Sequence, residues 1–206
     1  MNELNENIKK YQIALTLIEG VGDVIGKKLL AFTGSAKGVF FAKRNELEKI
    51  DGIGKVLVKT ILSADVLTRA EKELKWMKKE GVNHLFYSDK HYPNRLKQCE
   101  DAPLNLFYRG DVDWNKDKFI SIVGTRKASS FGKQFTNELI KELAPYNPVI
   151  VSGLAHGIDI AAHKAALEYG LKTIAVFAHG LDKIYPSAHA QLLKPLLQTA
   201  VYLLII

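Results

Sequence analysis

The chain has 206 residues, of which 47% are hydrophobic and 25% charged, and this composition excludes wholesale disorder. Its formal net charge of +7 favours polyanionic partners without identifying one. No apolar run approaches the roughly 20 residues of a bilayer span, and the polar N-terminus lacks the apolar segment of a signal peptide. The single cysteine, Cys99, cannot form an internal disulfide. We therefore expect a cytoplasmic protein that does not associate with membranes.

Residues 8–80 carry leucine and isoleucine at helical spacing, without strand-like alternation, and this pattern predicts a small all-α domain over residues 1–80. The domain contains an imperfect repeat, in which LTLIEGVGDVIGKKLL ends at Leu30 and ELEKIDGIGKVLVKTIL ends at Leu62. Each copy has a Gly-apolar-Gly turn followed by an amphipathic helix start. This arrangement is typical of tandem helix-hairpin-helix motifs, because glycine permits a tight turn between the helices.

Each predicted hairpin directs the unpaired N–H groups of its second helix outward, where a DNA phosphate can accept them. We interpret the hairpins as a secondary DNA contact formed by Gly20, Gly22, Lys27, Gly52, Gly54 and Lys55. The acidic residues Glu19, Asp23 and Asp51 flank the turns and oppose phosphate binding. The alternative, that the tandem serves as a packing or partner module, stays open.

Residues 81–118 differ in character, since they are rich in aromatic residues, Pro and Asp. Short apolar pieces occur at His84–Tyr87 and Leu104–Tyr108. We interpret this stretch as a linking segment with one or two short strands. We expect it to pack on the sheet that follows, because exposed aromatic side chains are costly.

From Phe119 onward the pattern alternates between strands and helices. The predicted strands FISIV, PVIVS and KTIAVFA alternate with helices at 132–143 and 158–169, and a further helix is predicted around 189–197. This alternation predicts a parallel Rossmann-like sheet over residues 119–206, and therefore an α/β fold class for the chain. The apolar tail TAVYLLII predicts either a further buried strand or, as we favour, a sheet that is incomplete at the C-terminus.

Three loops follow the predicted strands and should meet at the carboxyl edge of the sheet, where α/β folds bind ligands. The loop GTRKASS offers close backbone approach at Gly124, hydroxyl groups, and the planar guanidinium of Arg126, which suits phosphate. The loops SGLAHG and AHGLDKIYPSAH add backbone donors and Tyr185, for which stacking on a base and a position in the core are both open interpretations. The predicted DNA-binding residues are Gly124, Thr125, Arg126, Ser129, Ser152, Gly153, His156, Gly157, Lys164, Gly180, Tyr185, Ser187 and His189.

The same loops lack the motifs of several enzyme classes. Gly124 and Gly132 are too far apart for a dinucleotide fingerprint, and neither a P-loop nor a nucleophile elbow occurs. Asp159 is interpreted as a helix-capping or loop-bracing residue and His163 as a buried histidine, while the other histidines show no closed metal-ligand spacing. We therefore predict binding without catalysis, metal or cofactor. Two alternatives remain open: an enzyme that acts on a nucleotide or nucleotide-derived molecule through these loops, and a truncated, unstable product without activity.

The motifs IVGTRKASSFG, VSGLAHGIDIAAHKAAL and TIAVFAHGLDKIYPSAH follow the hairpins and the segment YPNRLKQCEDAPLNLFYRGD in a fixed order. In this order the chain resembles the DprA (Smf) family of DNA-processing proteins of bacterial transformation. The resemblance implies an extended Rossmann-like domain that binds single-stranded DNA without sequence specificity. It further implies that the protein helps to load the RecA recombinase and has no catalytic activity.

The resemblance carries over to particular residues. The arginine of the family's Gly-Ser-Arg loop, a DNA contact, falls on Arg126, with Thr125 in place of serine. Positions that are often basic in the family are His156 and Ser187 here, and a frequent asparagine is His189. The family's dimer-forming region is not visible in this sequence, so a homodimer stays open.

Overall fold

The computed structural model describes residues 3–177, Gly180 and residues 200–205. It has the predicted α/β fold class, with helices first and a parallel sheet after them. By compactness the chain divides into two units between Leu106 and Phe107. Most of the predicted linking segment therefore groups with the helices that precede it.

The first unit is built mainly of helices, as the helical spacing of residues 8–80 predicts. The helices are α1 (Glu3–Thr16), α2 (Asp23–Thr33), α3 (Ala36–Phe41), α4 (Arg44–Leu47), α5 (Lys55–Ser63) and α6 (Leu67–Glu80). Strand β1 (Asn83–Phe86), helix α7 (Asn94–Lys97) and strand β2 (Asn105–Arg109) follow, and the unit boundary falls within β2. The strands confirm the prediction that the linking segment contains short strands.

The core of the first unit extends beyond the helices. Leu15, Leu29 and Val58 are fully buried in it, at 0% exposure. Phe86 and Leu104, which lie after the predicted helical domain, belong to the same cluster of buried side chains. The helices therefore share their apolar core with residues of the linking segment.

The second unit contains the predicted parallel sheet. Its elements are β3 (Phe119–Ser121), α8 (Ser130–Leu143), β4 (Val149–Ser152), α9 (Ile158–Glu168), β5 (Thr173–Phe177) and β6 (Ala200–Ile205). The pairs β3–β4, β4–β5 and β5–β6 are all parallel, with Phe119 opposite Val149 and Ile150 opposite Thr173. The tail thus contains a strand, β6, that pairs with β5. The helix predicted around 189–197 lies outside the described residues.

The strand order in this sheet follows the chain, from β3 through β4 and β5 to β6. Because crossovers between parallel strands are right-handed, consecutive crossovers place α8 and α9 on the same face of the sheet. The two helices pack against each other, and they bury Ile140, Ile150, Ala162 and Ala166 between helices and sheet. Because each helix follows one of two parallel strands, both helices begin near the carboxyl edge of the sheet.

Among the described residues, no helix is both long and apolar enough to cross a lipid bilayer.

Candidate functional site

The loops after β3 and β4 are in direct contact at the carboxyl edge of the sheet. The backbone N–H of Ile158 donates to the carbonyl oxygen of Thr125 at 3.2 Å. Gly157 has a φ of +88°, and a Cβ atom there would lie 2.8 Å from the carbonyl carbon of Arg126. A Cβ atom on Gly124 would lie 2.6 Å from Cγ1 of Ile158. Residues 124–130 and 152–157 therefore form one continuous surface, as the parallel-sheet prediction requires.

Two hydroxyl groups of this surface accept hydrogen bonds from backbone N–H groups nearby in the chain. The Oγ1 atom of Thr125 accepts a hydrogen bond from the N–H of Lys127 at 3.1 Å. Ser129 is the N-cap of α8, and its Oγ atom accepts from the N–H of Gly132 at 3.1 Å. These bonds hold the backbone in position, and the exposed hydroxyls of Thr125 and Ser129 keep their own hydrogens for donation.

Ser152 has a different position from the one expected of a ligand contact. Its side chain is buried, with the residue 2% exposed, and its hydroxyl donates to the carbonyl oxygen of Ile122 at 2.6 Å. This bond joins β4 to the segment after β3. The predicted role of Ser152 is therefore corrected to an internal one, because a buried, bonded hydroxyl is not accessible to a strand of DNA. Gly153, the next residue, is exposed.

Asp159 and His163 are buried residues of α9 that form hydrogen bonds with other parts of the second unit. Asp159 is buried, and its Oδ2 atom accepts a hydrogen bond from the N–H of Ala155 at 3.4 Å. His163 is 0% exposed, with its Nδ1 atom 2.7 Å from the hydroxyl of Thr173. Since that hydroxyl donates to the carbonyl oxygen of Ile150 at 2.8 Å, Nδ1 of His163 carries the proton. The predicted bracing and buried roles are confirmed.

The outer side of this edge carries positive charge. The charges are those of Arg126 and Lys127, which are exposed in the first loop, and of Lys164, which is exposed on α9. His156 is an exposed residue of the second loop. The amino termini of α8 and α9 both lie here, and the aligned peptide dipoles of helix starts favour anions. The N–H of Ile158, at the start of α9, is already bonded to Thr125. No Asp or Glu occurs in residues 118–137. The edge is therefore suited to phosphate groups.

Sequence reasoning missed the aromatic side chains that adjoin the first loop. Phe131 and Phe135, on the first two turns of α8, are 75% and 58% exposed. Their ring centroids lie 6.3 Å apart in a stacked arrangement. The i, i+4 spacing of two phenylalanines directly after the loop was the signal available in the sequence, since such pairs share one face of a helix.

The two predicted hairpins form the same turn. Gly20 and Gly52 have φ values of +79° and +82°, so glycine is needed at the first position of each Gly-apolar-Gly sequence. The residue after each of these glycines donates its N–H to a carbonyl three residues earlier, at 3.0 Å in the first copy and 3.1 Å in the second. Gly22 and Gly54 are the exposed N-caps of α2 and α5. The internal repeat is thus a structural repeat.

The charged residues of the hairpins differ between the copies. The ammonium group of Lys27 donates to the carbonyl oxygen of Glu100 at 2.6 Å. Asp23 accepts a hydrogen bond from the N–H of Leu104 at 2.7 Å, and burial raises the pKa of this carboxyl above its ordinary value. Lys55 in the second copy is exposed. Lys27 of the first hairpin is therefore hydrogen-bonded within the first unit, whereas Lys55 of the second hairpin faces solvent.

The third predicted loop is described at one position. Gly180 is partly exposed. Tyr185, Ser187 and His189 lie outside the described residues.

Residues 83–205, more than half of the chain, match the family model for DNA recombination-mediator protein A. This chain belongs to that family, which includes the proteins called DprA and Smf. It is 43% identical to DNA processing protein DprA of Bacillus subtilis over 116 residues, which are 56% of this chain and 39% of the relative. It is 30% identical to protein Smf of Synechocystis over 188 residues, 89% of this chain and 47% of the relative. The chain thus spans less than half the length of these relatives.

Solved structures agree with this family assignment. The crystal structure of DprA from Streptococcus pneumoniae superimposes with a TM-score of 0.76 at 30% identity and covers 96% of this chain and 67% of that one. A second match, at a TM-score of 0.51 and 32% identity, covers 60% of this chain and 54% of the other. It is DNA processing protein A from Helicobacter pylori, a structure described for its single-stranded DNA binding mode. Sequence and structure therefore agree on the family of this chain.

Proposed function

We propose that this chain binds single-stranded DNA, without sequence preference, at the edge formed by residues 124–130 and 152–157. The observation that carries the proposal is the exposed guanidinium of Arg126, on a loop that Gly157 holds in place beside the starts of α8 and α9. A planar guanidinium donates two parallel hydrogen bonds to a phosphate. We propose that backbone N–H groups of these loops add neutral donors.

Contacts of this kind favour a polynucleotide without reading its sequence. Contacts to phosphate and sugar fix the position of a strand and carry no base information. The structure from Helicobacter pylori, which is described for binding single-stranded DNA, supports a single strand as the ligand. The absence of acidic residues from positions 118–137 supports an anionic ligand.

The finer parts of the function rest on the family resemblance. We propose that the chain helps to load RecA onto the bound strand in DNA recombination and natural transformation, and that it acts without catalysis. Association with purified RecA, measured with and without oligo-dT, tests the partnership. Homodimer formation is tested by the sizing profile over a range of protein concentrations.

The DNA-binding proposal is tested by titrating salt against binding to labelled oligo-dT. Replacing Arg126→Ala removes one phosphate contact, so we expect affinity to fall about tenfold and the slope of log K against log salt to fall by ~0.7. The matched control is Arg69→Ala, which removes the same charge from an exposed position on α6. We expect the control to bind like the wild type, and both wild type and control to prefer oligo-dT over a duplex. If Arg126→Ala and Arg69→Ala bind alike, the site is misplaced.

A further inference from the structure

The aromatic face at the start of α8 is an exposed apolar surface beside the charged loop. Phe131 and Phe135 stack on each other, and Leu139, one turn further along, is 39% exposed. Val123, at the beginning of the loop after β3, is 76% exposed. Exposed aromatic side chains of this size are uncommon on a protein surface unless they contact a ligand or partner.

The charge around this face is positive. Arg126 and Lys127 precede the first ring and Lys133 lies between the two rings in sequence, all exposed. The first acidic residue along the helix is Glu138, whose Oε1 atom accepts a hydrogen bond from the side-chain amide of Gln134 at 2.8 Å. Cations interleaved with exposed aromatic rings form the surface that single-stranded nucleic acids recognise, because every base has a face that can stack.

We propose that Phe131 and Phe135 form a base-stacking platform for single-stranded DNA, extending the phosphate site from Arg126 along the first two turns of α8. This inference rests on the proposed DNA binding and adds the path of the strand to it. The phosphate nearest Arg126 places the next bases against the rings, which begin two residues after the N-cap Ser129. The platform tolerates any base, and it contributes affinity without adding phosphate contacts.

The test compares two ligands of equal length and charge, oligo-dT and an abasic deoxyribose-phosphate oligomer. Replacing Phe131→Ala together with Phe135→Ala should weaken oligo-dT binding by more than tenfold. Each base that loses its stacking partner is expected to lower the affinity by about tenfold. Binding to the abasic oligomer should stay unchanged, and so should the salt slope for oligo-dT, since that slope counts phosphates. Phe131→Trp should retain binding, and Phe131→Leu should lose it, because leucine keeps the apolar contact without the ring.

The matched control is Tyr146→Ala, which removes a 67% exposed aromatic side chain from the 3-10 turn Ala144–Tyr146 that follows the C-terminal end of α8. We expect this variant to bind both ligands like the wild type. Equal binding of oligo-dT by the wild type and the Phe131/Phe135 variant, with Arg126→Ala still impaired, would overturn the platform and leave the phosphate site standing. If the double substitution instead dissolves a dimer without changing DNA affinity, the face is a protein contact and the platform is also overturned. Absence of salt-sensitive oligo-dT binding by the wild type would overturn both proposals.

Discussion

Gly157 decides the geometry of the candidate site more than any charged residue does. Its positive φ allows the chain to turn from β4 into α9 while its α-carbon lies against the backbone of Thr125 and Arg126. Any side chain at this position would need a strained backbone and would push the two loops apart. The position of Arg126 therefore depends on the absence of a Cβ atom at Gly157 in the neighbouring loop.

We expect Gly157→Ala to lower the free energy of unfolding by about 3 kcal/mol or more, since backbone strain and overpacking each cost of the order of 1–3 kcal/mol. Urea unfolding measures the effect. The matched control is Gly170→Ala, where φ is also positive, at +69°, but a Cβ atom would meet nothing within 4 Å. That control should lose only about 1 kcal/mol. Equal losses for both variants would show that the contact with residues 125 and 126 contributes nothing.

At the scale of elements, a buried polar network joins β1, β2 and α1. The side-chain amide of Asn105 donates to the carbonyl oxygen of Gln12 and to the hydroxyl of Thr16, each at 3.0 Å. Its Oδ1 atom is therefore the acceptor for Nε2 of His84, which lies 2.6 Å away. Since a buried polar group left without partners is costly, this network fixes how the strands sit against the first helix.

The network makes the stability of the first unit depend on pH. Burial lowers the pKa of His84 to about 4, although its bond to Asn105 opposes the shift. The unfolded state binds the proton below about pH 6.5, so stability is full above that pH and is lost as pH falls towards 4. When the pH is lowered from 7 to 5, the His84 side chain should lower the free energy of unfolding of the wild type by about 2 kcal/mol.

Urea unfolding at both pH values, with His84→Gln beside the wild type, measures this contribution. The variant should be less stable at pH 7 and lose about 2 kcal/mol less than the wild type on acidification. His91→Gln, at an exposed position, is the control and should follow the wild type. A wild type and a His84→Gln variant with parallel pH profiles would show that His84 titrates normally in the folded state.

At the scale of the whole molecule, the boundary of the first unit matters for its stability. The helices up to Glu80 share a core with Phe86 and Leu104, which are 2% and 0% exposed. Removing a buried large side chain typically costs 2–5 kcal/mol, a large share of the 5–15 kcal/mol that stabilise an ordinary domain.

We therefore expect a fragment of residues 1–106 to unfold in one cooperative thermal transition, and a fragment of residues 1–80 to lack such a transition. Circular dichroism at 222 nm follows both. The substitution Leu104→Ala in the longer fragment provides an intermediate case, in which we expect the free energy of unfolding to fall by about 2–5 kcal/mol. A cooperative transition of residues 1–80 at the same temperature as residues 1–106 would contradict the shared core and favour the predicted domain end at residue 80.

The sequence determined those features that depend on neighbouring residues. The Gly-apolar-Gly repeats required the same turn twice, because only glycine adopts the positive φ found at Gly20 and Gly52 at low cost. Alternating β-branched strands and helical segments required a parallel sheet, and the order of the motifs pointed to the family. Arg126 could be placed at the sheet edge because loops after parallel strands meet there.

Tertiary structure decided which of those residues face solvent. The sequence predicts the hydroxyl of Ser152 as a donor to a ligand, but in the structure it points inward and donates to Ile122, in the segment after β3. The ammonium of Lys27 meets a carbonyl 73 residues away, and Phe131 and Phe135 are exposed although aromatic residues usually help to fill a core. Such outcomes depend on contacts between residues distant in the chain, and a local pattern such as the i, i+4 spacing of the two phenylalanines shows a shared helix face without showing whether that face is covered.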